Sequence, residues 1–127
     1  METVADFVAA LGAGQRAVFE ILMENVQKNL PEGKPRLYHG SPVWFIAGNP
    51  ILGLSLKQGK VELLFWSGQS FREEGLVPVG KFKAAERLYA DPEEVDEGKL
   101  GKWIGESRTI IWDYKNMRRN AGKLARA

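Results

Sequence analysis

The chain contains no cysteine, only one histidine and no long apolar run. Without cysteine, disulfide staples, zinc–thiolate centres, thiol nucleophiles and thiol redox chemistry are all excluded, and a reducing compartment fits. No apolar run approaches the roughly 18 residues of a membrane span. The opening residues lack the basic start and apolar core of a secretory leader. A cytoplasmic protein with no membrane partner is therefore expected. The Gly-rich fingerprints that cradle phosphates are absent, and no serine sits in a nucleophile-elbow pattern. No catalytic residue and no cofactor is assigned, and an enzyme is not expected.

What is present describes one folded unit. The 127 residues, 44% apolar and 27% charged, suit a single soluble domain spanning 1–127 with one core. The net charge of +2 hides an asymmetry. Arg108, Lys115, Arg118, Arg119, Lys123 and Arg126 face Asp113 alone near the C-terminus, so the rest of the chain is mildly acidic. That basic tail, about 118–127, could grip phosphates with Tyr114 available for stacking. The whole molecule is too weakly charged to make nucleic acid the expected partner. A small molecule or another protein is expected instead, with the chain as monomer or homodimer.

Periodicity supplies the elements. Thr3 reads as an N-cap before Val4, Phe7, Val8 and Leu11 on one helical stripe, with Gly12 and Gly14 as the stop. A second helix over about 15–30 turns Val18, Ile21, Leu22, Val26 and Leu30 inward, and "PEGKP" ends it. From Val43 the texture changes to "VWFIAG", "ILGLSLK" and "KVELLFW", short apolar strands of which the last two form a hairpin across Gln58-Gly59. In the third, Val61, Leu63 and Phe65 share one face and Glu62, Leu64 and Trp66 the other. "FKAAERLYA", 82–90, is ambiguous, since its composition favours helix. Asp91, Pro92 and Glu94 read as the cap and first turn of a helix. Leu100, Trp103 and Ile104 line its inner face, and Ile111 and Tyr114 continue the stripe into a later helix.

His39, in "YHGSPVWF", could be a base or metal ligand, but a lone histidine without acidic neighbours reads as a loop residue before the first strand. Asp91, Glu93, Glu94, Asp96 and Glu97 could hold a hard cation through carboxylate oxygens. They lack the pattern of a calcium loop and also suit the dipole at a helix start. A weak iron or calcium site at Glu93, Glu94 and Glu97 is kept as the lesser reading.

The ordered set "YHGSPVWF", "FWSGQSF", "EEGL", "GKFKAAERLY" and "WDYKN" closely resembles the bacterial YdhG-like family, a domain of unknown function, from the first helix to about Gly122. The resemblance implies a strand at 82–89. It thereby implies an α+β fold: an antiparallel sheet of four or five strands packed against N- and C-terminal helices, which cover one face. Some members are described as frataxin-like iron chaperones, so it also implies iron carriage as an alternative function. The first expectation is a non-enzymatic ligand-binding or adaptor module. Its site is expected in an aromatic-lined cleft between the sheet and the C-terminal helices. The residues expected there are Tyr38, Trp44, Phe65, Trp66, Tyr89, Trp112, Asp113, Tyr114 and Lys115.

Overall fold

A computed structural model describes residues 3–127. Thr3 caps α1 (Val4–Ala9) in a capping box: its hydroxyl oxygen accepts from the Asp6 N–H, and the Asp6 carboxylate accepts from the Thr3 N–H, both at 3.1 Å. Gly12 does not merely stop α1. It is the N-cap of α2 (Ala13–Asn29), whose first turn contains Gly14. The helix ends where the Leu30 N–H bonds the Val26 carbonyl at 2.8 Å.

The sheet has six antiparallel strands in the order β1-β2-β3-β4-β6-β5. They are β1 (Lys34–Tyr38), β2 (Ser41–Ile46), β3 (Asn49–Lys57), β4 (Lys60–Phe65), β5 (Val77–Pro78) and β6 (Ala85–Tyr89). Four or five strands were expected, and the surplus is at the edges. Residues 34–38 form a strand where only a chain break was anticipated. Segment 82–90 is extended, as the family resemblance implied, but over Ala85–Tyr89. Pairing with β4 overrides its helical propensity.

One local device builds the first four strands into a meander. His39-Gly40, Ala47-Gly48 and Gln58-Gly59 are two-residue turns with φ of 52° and 83°, 50° and 83°, and 54° and 78°. Positive φ at both central positions is the turn whose twist matches that of antiparallel strands. Between Trp44 and Phe45 the β2–β3 register shifts, which leaves Ile51 as an extra residue in β3.

Register assigns the faces. Leu52, Leu54 and Leu56 lie opposite Phe65, Leu63 and Val61, and the last three lie opposite Ala85, Arg87 and Tyr89. This face meets α2 and α3 (Glu97–Ser107). Val18, Phe19, Leu22 and Val26 from α2 and Leu100, Trp103 and Ile104 from α3 join Trp44, Leu52, Leu54, Leu63, Phe65 and Tyr89 in one core. A fully buried side chain of this size contributes roughly 1.5–3 kcal/mol relative to its exposed state. The Trp103 indole N–H also anchors the 73–74 loop, donating to the Glu73 and Glu74 carbonyls at 3.3 and 3.1 Å. Among the described residues no α-helix covers the opposite face, where Val43, Gly53, Ser55, Glu62 and Leu64 line up.

Two helix expectations are corrected. Asp91 and Pro92 open only a 3-10 turn, Pro92–Glu94, with no side-chain cap bond. α3 starts three residues later, where Asp96 accepts from the Lys99 N–H at 3.0 Å. After Ser107 there is no later helix: Tyr114–Asn116 is a single 3-10 turn, and the chain then doubles back so that Trp112 bridges Arg126.

Candidate functional site

The helix-free face of the sheet carries a pocket of about 150 Å³. Gly53 is its floor. A Cβ there would stand 3.1 Å from Trp66 Cζ3 and 3.2 Å from Val43 Cγ2, so the Trp66 indole lies over the glycine because nothing projects from it. Tyr38 and His39 form the opposite wall, beside Ser41 and Val43. Tyr38 meets the rings of His39 and Phe45 with centroids 4.2 and 5.5 Å away, both edge-on. Its fractional exposure of 38% leaves much of it open to an incoming molecule. His39 belongs to the first hairpin turn, as its place before a strand suggested, and also borders the pocket.

At the polar end of the pocket lie Ser55 and Glu62, which are directly opposed on β3 and β4. The Ser55 hydroxyl donates to Glu62 Oε1 at 2.8 Å. Behind them, Lys57 Nζ donates to Glu86 Oε1 at 2.7 Å and stands 3.8 Å from Glu62 Oε2. Glu86 is only 8% exposed, and its carboxyl and that of Glu62 both lie within reach of the Lys57 ammonium. Burial first, and then the neighbouring Glu86 carboxyl, raise the Glu62 pKa from its ordinary value. The neighbouring Glu62 carboxyl, with help from Lys57, lowers that of Glu86. Lys57 is held more firmly protonated by Glu86.

The expected site residues divide into three groups. Tyr38 and Trp66 line the pocket. Trp44, Phe65 and Tyr89 are 1%, 0% and 1% exposed. Trp44 and Phe65 are core residues, whereas Tyr89, although buried, borders a recess of about 270 Å³ between β6 and α3 with Arg87, Asp96, Lys99 and Trp103. Burial pushes the Tyr89 hydroxyl up to about 12.

Trp112, Asp113, Tyr114 and Lys115 staple the C-terminal segment to the sheet end. The Trp112 N–H donates to Ser67 Oγ and its indole N–H to Ser70 Oγ, both at 3.0 Å. The Tyr114 hydroxyl donates to the Trp66 carbonyl at 2.9 Å and accepts from the Lys83 N–H at 3.1 Å. The Lys115 N–H donates to Asn49 Oδ1 at 3.0 Å, and its ammonium to the Ala47 carbonyl at 2.6 Å. The Asp113 carboxylate accepts from the Asn116 side chain at 2.8 Å.

The basic tail forms no cationic helical face. Lys115 is engaged as described, and the Arg126 guanidinium lies 5.6 Å from the centre of the Trp112 ring.

The proposed metal-holding acids do not converge. Glu94 accepts from the Ala90 N–H at 2.9 Å, and Glu97 accepts from the Asn25 side chain at 2.8 Å. Glu93 is exposed. Among the described residues no three of His, Asp and Glu group closely enough to hold a metal ion.

Ser55, Lys57, Glu62 and Glu86 were not anticipated. The alternation of "KVELLF" already set Glu62 on the face away from the core. A glutamate between two leucines in a strand was the available signal. Its partner Glu86 lay in the ambiguous segment and could not be aligned with it.

Comparison of the chain with family models, with curated proteins and with solved structures gives no match in any of the three.

Proposed function

We propose that the chain is a non-enzymatic binding module whose ligand site is the pocket on the helix-free face of the sheet. The observation that carries this reading is Gly53. A strand glycine weakens its strand by roughly 0.5–1 kcal/mol, and here it opens a recess that Trp66 roofs and that Tyr38 and His39 wall. The recess suits a small body, since an apolar cavity of about 150 Å³ accepts a benzene ring. Aromatic walls with a few polar groups at one end are the usual composition of a small-molecule site. Binding is favoured over catalysis because Lys57 is a protonated partner of Glu86 at 2.7 Å, which leaves its amine no lone pair for nucleophilic attack.

The ordered motifs support kinship with the YdhG-like family, and with it a bacterial, cytoplasmic setting. Iron carriage draws no support from Glu93, Glu94 and Glu97, whose carboxylates point to separate partners or to solvent.

The test is a thermal-shift screen of compounds of benzene to indole size against the wild type and Gly53→Val. Hits that raise the wild-type melting temperature and leave the variant unmoved support the pocket. Hits that stabilise both equally locate binding elsewhere and overturn it.

A further inference from the structure

Resting on that reading of the pocket, we infer that its ligand is a small organic cation, an ammonium or amidinium on a planar or apolar body, that enters between Tyr38 and Trp66 and meets the Glu62 carboxyl. Three features converge on this chemistry. The lining includes the rings of Tyr38 and Trp66, and an aromatic ring attracts a cation through its quadrupole. The polar end offers oxygen, since Ser55 and Glu62 both line the pocket and Glu62 Oε1 accepts from the Ser55 hydroxyl at 2.8 Å. The local charge also favours a cation. Lys57 is bonded at 2.7 Å to Glu86 and only 3.8 Å from Glu62, so its charge is matched by Glu86, and ionised Glu62 is left as a surplus of one negative charge.

A proton on Glu62, whose pKa burial raises, neutralises that surplus, and a monovalent cation does the same, so the two compete: where Glu62 carries the proton, entry of the cation breaks its O–H bond and the proton leaves to solvent. One charge replaces another, and the net charge of the cluster is unchanged.

Beside Glu62 stand Lys57 and Ser55 from β3 and Glu86 from β6, and the same pocket is lined by Tyr38 at the end of β1 and His39 in the β1–β2 turn. Lys60, two residues earlier on the same face of β4, is exposed and makes no ion pair among the described residues, so solvent screens it. An anionic ligand would meet Glu62 and Glu86 directly, and a neutral one would leave the exchange unused.

The experiment is isothermal titration of the full chain with benzylamine and, as its uncharged counterpart, benzyl alcohol, at about pH 5 and about pH 8, the higher of which leaves Glu62 more fully ionised. Each titration is run in two buffers of different ionisation enthalpy. Benzylamine is expected to bind at least tenfold tighter at the higher pH. At the lower pH its binding heat should depend on the buffer because protons are released. Benzyl alcohol should bind weakly and indifferently to pH. Glu62→Gln should cost benzylamine at least tenfold and remove its pH dependence, with benzyl alcohol unchanged. Ser55→Ala, which keeps the carboxyl, should retain the pH dependence, and this arm stands if Glu62→Gln does not fold.

Benzylamine affinity that ignores pH, benzyl alcohol that binds as tightly as the amine, or no binding of benzylamine at all overturns the cation inference. The pocket itself is judged separately by the Gly53→Val screen.

Discussion

Replacing Tyr114 with phenylalanine separates the two roles open to the C-terminal aromatics, ligand contact and structural staple. The substitution keeps the ring, which meets Phe82 edge-on with centroids 6.4 Å apart, and deletes only the hydroxyl. That hydroxyl makes two backbone bonds, to the Trp66 carbonyl at 2.9 Å and from the Lys83 N–H at 3.1 Å. Each bond is worth about 0.5–1.5 kcal/mol net, and a fully buried orphan would cost about 1–3 kcal/mol. The site is half-buried, so water recovers part of the loss, and the expected destabilisation is about 1–2 kcal/mol. For a chain of this length that corresponds to a fall of roughly 4–8 °C in melting temperature. Urea unfolding should show a lower midpoint with an unchanged m-value, because the surface exposed on unfolding is the same. Ligands of the pocket should bind as before once the variant is folded. A variant as stable as the wild type that has lost binding would show the hydroxyl to be a ligand group and refute the staple.

Three further outcomes follow from the same geometry. Gly53→Val should fold with a net loss of about 1–2 kcal/mol in urea, since overpacking against Trp66 and Val43 costs about 1–3 kcal/mol and removing a strand glycine returns roughly 0.5–1 kcal/mol; failure to fold would mean that the indole cannot yield. Glu62→Gln should gain stability relative to the wild type as pH rises from the acid side. The raised carboxyl holds its proton in the folded chain after the unfolded chain has released it, so wild-type stability falls through that window; parallel stability curves for the two proteins would disprove the upward shift. Tyr89, pushed up to about 12 by burial, should make the wild type lose stability between about pH 10 and about pH 12, where only the unfolded chain ionises it. Tyr89→Phe should remove that part of the alkaline decline, and an unchanged decline would contradict its burial.

Periodicity made the core strands readable, because Val61, Leu63 and Phe65 alternate with Glu62 and Leu64 and the buried face shows directly in the order of residues. The same holds for the inward stripe of α2. β1 escaped because only Leu37 of its residues is even half-buried, so no apolar period marks it. β5, with two exposed residues, has none either. His39-Gly40 and Ala47-Gly48 make the same turn as Gln58-Gly59, but neither is the Asn-Gly or Asp-Gly pair that marks such a turn in a sequence, and alanine is uncommon at positive φ. The segment 108–127 carries no helical stripe of its own. Its path is set by bonds to Ser67, Ser70, Trp66 and Asn49, all 42–66 residues distant in sequence. Tyr38 and Trp66 were legible as candidate contacts, whereas Glu62 and Glu86 become neighbours only once the β4–β6 register is known.

The most direct measurement of the central claim is an amide NMR titration of isotopically labelled protein with a compound that raises its melting temperature. Shifts confined to Tyr38, His39, Ser41, Val43, Gly53, Ser55, Glu62 and Leu64, together with the Trp66 indole, are the expected result. Shifts that cluster instead along α1 and α2, with those strand residues unmoved, would contradict it.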